Sequence, residues 1–328
     1  MKKIIKPKRI KGELTPPPDK SITHRAVILS SIANGTSIIE NPLFSDDTKR
    51  TMDAFKLMGV KIRKRKNSII ISSTGKLKNP NKSIYCGNSG TTMRLLAGII
   101  SSHNISATLT GDKSLSKRPM KRIIVPLRMM GAKIEAKNEN FPPLKIKRVK
   151  KLKGIKYKLP VPSAQVKSCI ILAGLKADGE TVIHYDIPSR DHTERMLPLF
   201  GGKINVKKGK ISLTGNQSLK AIEKFTVPGD FSSASFFIAL GLIFPKAKII
   251  LKNVGINPTR TGFLKIIKRM NGKFKILNKR EKVEPVADIY VEYSKLKGIE
   301  IKKKEIPFLI DEIPLIGILG AFAKGTTV

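Results

Sequence analysis

Polar and basic residues gather at three places in the sequence where apolar, helix-like runs begin. Lys20 and Ser21, with Arg25, open the first run. Asn88-Ser89-Gly90-Thr91-Thr92 with Arg94 opens the second, and Ser163-Ala164-Gln165 the third. Helix N-termini present free N–H groups and a positive dipole end, which suit phosphate or carboxylate. Lys and Arg at such positions add charge-assisted bonds. Three such starts point to a small ligand carrying several negative charges. Each residue also has a plainer reading. Ser163 and Thr91 are ordinary helix caps, Gly90 suits a tight turn as well as a ligand contact, and any one Lys among 64 basic residues is usually a solvated charge.

Other chemistries find less support. Asp311-Glu312 stands at the opening of an apolar run, where a carboxylate either complements the helix dipole or works as an acid–base group; both readings stay open. His24, His103, His184 and His192 have neither a carboxylate nor a Cys at ligand spacing, so no metal site is expected. No Gly-x-Ser-x-Gly elbow supports a Ser nucleophile. Cys86 and Cys169 sit beside apolar runs and read as inert buried thiols.

The elements that must position these residues recur at a fixed period. Leu57-Met-Gly-Val-Lys-Ile62, Met129-Met-Gly-Ala-Lys-Ile134, Leu199-Phe-Gly-Gly-Lys-Ile204 and Arg269-Met-Asn-Gly-Lys-Phe274 align on Gly59, Gly131, Gly201 and Asn271, in steps of 72, 70 and 70 residues. Each aligned residue ends an amphipathic run such as Thr48–Met58 and precedes an alternating, strand-like run such as Lys61–Ile71. Gly or Asn there predicts a left-handed helix cap. Each unit also has a first helix of small and apolar residues: Ser21–Ile32, Thr91–Ile100, Gln165–Leu175, Ser232–Leu242 and Asp311–Phe322. A short β-branched stretch follows each: Thr36–Ile39, Ala107–Thr110, Glu180–His184, Lys248–Leu251 and Thr326–Val328. The unit therefore reads β-α-β-α-β-β, and the fold class is α/β, built from repeats.

Two Pro-rich breaks, Thr15-Pro-Pro-Pro-Asp19 and Thr226-Val-Pro-Gly-Asp230, read as paired crossing segments. They divide the chain into an N-terminal strand (1–15) of a discontinuous domain, a complete three-unit domain (16–227), and the remainder of the discontinuous domain (228–328). By the repeat step a further cap belongs near position 341. The sequence stops inside the fifth unit, which leads to the expectation that the discontinuous domain is cut short.

Composition sets outer limits. The 328 residues carry 64 Lys and Arg against 24 Asp and Glu, a formal net charge of +40, which calls for an anionic partner or a solvated basic surface. The basic segment Met1–Ile10 lacks the apolar core of a signal peptide. The stretches Phe236–Phe244 and Ile313–Ala323 are nine and eleven residues, short of the ~20 needed to cross a bilayer, and read as buried helices. A monomer in a reducing cytoplasm, with no membrane or nucleic-acid partner, is expected.

Seven motifs then stand in one order: Asp19-Lys-Ser-Ile-Thr-His-Arg-Ala26, Gly87-Asn-Ser-Gly-Thr-Thr-Met-Arg94, Lys117-Arg-Pro-Met120, Pro162-Ser-Ala-Gln165, Ser189-Arg-Asp-His-Thr-Glu-Arg195, Pro228-Gly-Asp-Phe-Ser-Ser233 and Ile310-Asp-Glu312. Together they resemble the 5-enolpyruvylshikimate-3-phosphate synthase family, from about residue 10 to the last residue. The resemblance implies the two-domain enolpyruvyl transferase fold. It also implies transfer of the enolpyruvyl group of phosphoenolpyruvate to the 5-hydroxyl of shikimate 3-phosphate without metal or cofactor, on the route to chorismate and the aromatic amino acids.

On matching positions, the resemblance makes Lys20 and Asp311 catalytic. Asp311 would take the 5-hydroxyl proton, and Lys20 would lie between the substrates. Ser21, Arg25, Ser163, Ala164, Gln165 and Ser189 would join them in holding shikimate 3-phosphate. Asn88, Gly90, Arg118 and Gln165, with Lys20, would hold phosphoenolpyruvate, and Gly90 would lie where the inhibitor glyphosate crowds it. Three departures stand out. Pro18 replaces the Gly usual before the Lys-Ser pair, Ala164 stands where some members have Ser, and the Arg-x-Lys-Glu motif that completes the phosphoenolpyruvate site would fall beyond Val328. The 328-residue chain alone is accordingly expected to turn over little.

Two alternatives carry weight. A UDP-sugar enolpyruvyl transferase shares the repeats but uses a loop Cys, and the corresponding Lys113–Lys117 stretch has none. A basic nucleic-acid-binding protein suits the +40 charge, but aromatics are only 5% and the Lys residues are scattered through all units.

Overall fold

The computed structural model describes residues 9–328. Their contacts gather into two compact units, one of Lys20–Val227 and one of residues 9–19 with Pro228–Val328. The N-terminal strand expected over 1–15 lies partly outside the described residues; within them Lys11–Leu14 is a strand.

The helices are α1 (Lys20–Ile32), α2 (Asp46–Leu57), α3 (Gly90–Ser102), α4 (Lys121–Met129), α5 (Ala164–Gly174), α6 (His192–Met196), α7 (Phe231–Ile243), α8 (Gly262–Arg269) and α9 (Ile313–Ala321). They fall into two kinds. Helices α2, α4 and α8 are amphipathic and pack one stripe. Helices α1, α3 and α5 are buried nearly all round, which is why their sequences are small and apolar on every face. Gly98 on α3 shows how closely these inner helices pack: a Cβ there would meet the Cys169 carbonyl oxygen on α5 at 2.4 Å.

Unit Lys20–Val227 holds three sheets of one pattern. In the first, Ala33–Glu40 pairs in parallel with Leu219–Lys220 and Lys224–Thr226, and antiparallel with Ser68–Thr74, whose hairpin partner is Lys61–Arg65. In the second the order is Ile84–Tyr85, Ala107–Thr110, Phe141–Lys147, Lys133–Lys137. In the third it is Lys156–Lys158, Glu180–His184, Lys210–Thr214, Asn205–Lys207. The second unit repeats the pattern with Lys11–Leu14, Lys248–Gly255, Val286–Glu292 and Lys273–Arg280. Every sheet thus joins a parallel strand to an antiparallel hairpin: in three sheets the parallel strand precedes its partner in the chain, while in the first it comes from residues 219–226 at the end of the unit. This is the mixed α/β repeat architecture expected.

The four aligned positions do what their chemistry suggests. Gly59, Gly131, Gly201 and Asn271 have φ of 91°, 96°, 75° and 63°, the left-handed caps that let each helix turn back into its hairpin.

Three expectations need correction. The run Asp311–Phe322 is helical only over Ile313–Ala321; Pro314 is favoured in a first turn, so Glu312 becomes the N-cap and Asp311 lies in the turn before it. The segments read as buried helices are half open: Phe236, Ile318 and Phe322 are 63%, 46% and 62% exposed, and only one side of α7 and α9 packs into the core with Phe263, Ile266, Ile289 and Val291. Thr326–Val328 is not a strand, although the Val328 carbonyl accepts from Ile301 N–H and its own N–H donates to Ile299.

The Pro-rich segments pair within the second unit. Pro18 and Gly229 form an antiparallel bridge, Asp19 N–H donates to the Pro228 carbonyl and Asp230 N–H to that of Pro17, each at 2.8 Å. Pro18 costs no hydrogen bond here, because the neighbouring residues supply the N–H donors.

Candidate functional site

Within unit Lys20–Val227 the starts of α1, α3 and α5 are linked by side chains. Lys20, the first residue of α1, is half exposed and pairs with Asp47 at 3.1 Å. The Asp47 carbonyl accepts from Thr92 Oγ1 in the first turn of α3, and Thr92 also bonds Thr51, which holds His24 of α1. From α3, Arg94 Nη1 donates to Gln165 Oε1 at 2.7 Å, while Gln165 Nε2 donates to Thr91 Oγ1 at 2.9 Å. This reciprocal pair locks the start of α3 to that of α5. Ser163 caps α5 by accepting from Val166 N–H, and Ala164 is its first residue. Ser89 caps α3, which leaves Gly90 as that helix's first residue.

Beside Gly90 lies a basic cluster. Arg118 donates to Asn88 Oδ1, and the amide of Asn88 donates to Asp112 Oδ2 at 2.8 Å. A Cβ on Gly90 would sit 2.6 Å from Arg94 Nη1 and 3.5 Å from Arg118 Nη1, so the two guanidinium groups flank the glycine closely. Burial, and then Arg118 and Arg122 nearby, lower the pKa of Arg94 from its usual value. Like charges held together in this way suit an anion, which would relieve their repulsion.

Arg25 is more deeply engaged than a helix-start cation suggests. Its Nε donates to Thr193 Oγ1 at 2.7 Å, Nη1 to the Ser21 carbonyl at 3.0 Å and Nη2 to Ser168 Oγ at 2.9 Å, joining α1 to α5 and α6. Ser21 thus contributes its backbone to this junction. Ser189 lies in the loop between the strand Glu180–His184 and α6, and its carbonyl accepts from Lys167 Nζ at 3.2 Å.

Asp311 belongs to the other unit and is exposed there, next to buried Glu312. Its surroundings are strongly charged. Glu312 accepts from Ser232 Oγ at 2.6 Å, and Arg260 donates to Ser232 Oγ at 2.7 Å and to Asp230 at 3.0 Å, with Asp19 at 3.6 Å. Burial opposes the charged guanidinium, but Asp19, Asp230, Glu312 and Asp311 together raise the pKa of Arg260. Burial, then Asp19, push the Asp230 carboxyl up, against the pull of Arg260. One guanidinium therefore anchors both Pro-rich segments and the turn that carries Asp311.

The structure thus brings Lys20, Ser21, Arg25, Asn88, Gly90, Arg118, Ser163, Ala164, Gln165 and Ser189 onto one unit, at helix starts and adjoining loops, and places Asp311 on the other. The sequence reading missed Asp47, Asp112, Lys167 and Arg260 as partners of these residues. Nothing local marked them, since each meets its partner over 20 residues or more. Among the described residues no group of three or more His, Cys, Asp or Glu could hold a metal ion, and no helix is long and apolar enough to cross a membrane. Burial pushes the Cys86 and Cys169 thiols up to about 12, so neither is a thiolate nucleophile near neutral pH.

With this geometry in hand, comparison with known proteins is informative. The family model for EPSP synthase (3-phosphoshikimate 1-carboxyvinyltransferase) matches residues 4–328. A 3-phosphoshikimate 1-carboxyvinyltransferase of Legionella pneumophila (strain Corby) is 48% identical over 322 residues, which is 97% of this chain and 74% of that protein. The protein of the same name from Thermoanaerobacter sp. (strain X514) is 48% identical over 327 residues, 99% of this chain and 77% of that one. EPSP synthase from Acinetobacter baumannii superposes with a TM-score of 0.89 at 45% identity, over 98% of this chain and 73% of that one. The enolpyruvyl transferase NikO of Streptomyces tendae shares the fold at a TM-score of 0.76 and 15% identity, over 97% of this chain and 74% of that one. The match over nearly every residue, together with the repeated α/β sheets, shows that the chain belongs to the EPSP synthase family.

Proposed function

We propose that the helix starts of this chain hold shikimate 3-phosphate and phosphoenolpyruvate for the 3-phosphoshikimate 1-carboxyvinyltransferase reaction of its family. The observation that carries the reading is the Arg94–Gln165–Thr91 lock, which sets the starts of α3 and α5 side by side with a cluster of guanidinium groups next to Gly90. Ser163, the Ala164 backbone, Gln165 and Ser189 hold the 3-phosphate and ring, with Ser21 and Arg25 on the carboxylate. Asn88, Gly90, Arg118 and Gln165 hold phosphoenolpyruvate, with Lys20 between the two substrates. Cytoplasmic location, in keeping with two buried free cysteines, completes the proposal together with a monomeric chain that has no nucleic-acid partner.

The chemistry is addition followed by elimination. Asp311 takes the proton of the 5-hydroxyl as the hydroxyl oxygen bonds to C2 of phosphoenolpyruvate, and the C2–C3 electron pair takes a proton at C3 from the Lys20 ammonium, which gives a tetrahedral ketal phosphate. Return of a C3 proton to the Lys20 amine then re-forms the double bond as the bond from C2 to the phosphate oxygen breaks and phosphate leaves. Charge grows on the departing phosphate, and fixed guanidinium groups stabilise it where water would have to reorganise. The family comparison favours this reaction over transfer to a UDP-sugar, in line with the absence of Cys from Lys113–Lys117.

Calorimetric titration of the chain with shikimate 3-phosphate tests the reading. Saturable binding is expected, weakened about tenfold or more in Ser163→Ala, a loss of one charge-assisted hydrogen bond. In a phosphate-release assay, Lys20→Ala and Asp311→Ala each lower turnover at least about 100-fold, the scale of general acid–base catalysis. Failure to bind shikimate 3-phosphate, or near-normal turnover in both variants, overturns the assignment.

A further inference from the structure

Among the described residues, Lys167 is the lysine found buried, and it occupies the first turn of α5, two residues after Gln165. A buried ammonium is costly unless it is paired and hydrogen-bonded. Lys167 Nζ lies 2.6 Å from Glu194 Oε1 on α6, the two side chains being 3% and 4% exposed. It also donates to the Ser189 carbonyl at 3.2 Å and stands over the Tyr185 ring at 5.6 Å. One ammonium thus reaches residues 185, 189 and 194: the start of the loop after the strand Glu180–His184, its middle, and the helix beyond. Glu194 Oε2 is buried without a hydrogen-bond partner, so Lys167 is what compensates that carboxylate.

This is an unusual expenditure for holding a surface loop, because apolar packing would hold it without burying two charges. What a fixed ammonium adds is geometry. Lys167 lies one helical turn from Ser163, so it sets Ser189 at a defined place relative to the start of α5. We propose that Lys167 and Glu194 form a latch that pre-organises the 185–191 loop for shikimate 3-phosphate, making Lys167 a positioning residue and not a group that touches substrate. The latch rests on the reading of Ser163 and Ser189 as phosphate-binding residues. Without it the loop must be ordered at the moment of binding, and affinity falls by the cost of that ordering.

The test uses the full chain. Removing Lys167 alone strands a buried carboxylate and endangers the fold, so the main variant is the double Lys167→Met/Glu194→Leu, in which both charges go together. A near-normal melting temperature is expected, with amide hydrogen exchange across 186–191 at least about fivefold faster and shikimate 3-phosphate binding about tenfold weaker. A merely structural pair would lower the melting temperature and leave the affinity of the folded fraction unchanged, and that result overturns the latch. Glu194→Gln keeps an acceptor for Lys167 and serves if the double variant does not fold. Faster exchange at 186–191 and about threefold weaker binding are expected of it, and no change in either overturns the proposal. If the unsubstituted chain binds no shikimate 3-phosphate, the functional reading fails and the latch with it. If Ser163→Ala weakens binding while the folded double variant does not, the latch alone fails.

Discussion

His103 closes α3, its Nδ1 2.8 Å from the Ile99 carbonyl, with Nε2 buried and without a partner. Burial is the main cause that holds the imidazole down at about 4; the Ile99 contact works the other way. The consequence for stability follows from linkage. An unfolded His takes up its proton near 6.5 and the native one only near 4, so as pH falls through that window the unfolded state gains protons first. Stability is expected to drop by about 2–3 kcal/mol between pH 6.5 and 4 from this residue alone, and not to change above 6.5. Thermal unfolding of the wild type and of His103→Asn across pH 7.5 to 4.5 checks this: the curves should part only below about 6.5, with the variant less acid-sensitive. Parallel curves would show that the native imidazole titrates normally. The chemistry of Arg25 shows what residue type alone leaves open. Its position at a helix start and its charge are plain in the sequence, but its partner Thr193 lies 168 positions away.

Among the elements, the inner helices do more than carry the site; their spacing sets it. Helices α3 and α5 approach so closely that only glycine fits at position 98 against the Cys169 backbone. The same approach brings Arg94 to Gln165 one turn earlier, so helix spacing and site geometry are one property. Gly98→Ala is expected to cost about 1–3 kcal/mol, the usual range for overpacking a tight core. It is also expected to weaken shikimate 3-phosphate binding, because backbone has to move to admit the methyl. Chemical denaturation together with calorimetric binding reads both effects; an unchanged midpoint would mean that the helices can separate freely. Much at this scale was legible. The 72, 70, 70 spacing located caps whose φ angles are positive, and the small apolar runs marked the inner helices. The end of the chain was read less well, since Pro314 moves the helix start past Asp311. Apolar composition also says nothing about which face of α7 or α9 finds a partner.

At the level of the whole molecule, the +40 charge has little to do with the site. The basic residues placed at the candidate site are Lys20, Arg25, Arg94 and Arg118, while strands such as Lys61–Arg65 and Lys273–Arg280 carry rows of exposed Lys and Arg. A diffuse basic surface binds polyanions weakly and through counterion release. Any association with random single-stranded RNA is therefore expected to vanish by about 0.2 M salt, and at that salt RNA should not compete with shikimate 3-phosphate. Filter binding with a salt titration measures it; tight, salt-resistant RNA binding would restore the nucleic-acid reading.

The sequence by itself determined the repeat, the caps and the helix starts, because each depends on a few neighbouring residues: a left-handed φ, a run of small side chains, a Ser before a helix. Tertiary structure decided which of those starts meet. Arg94 reaches Gln165 across 71 positions, Lys167 finds Glu194 on another helix, and Arg260 gathers Asp19 and Asp230. Charged groups of this kind are buried only with hydrogen-bonding or oppositely charged partners, and no single stretch of sequence holds both members of these contacts.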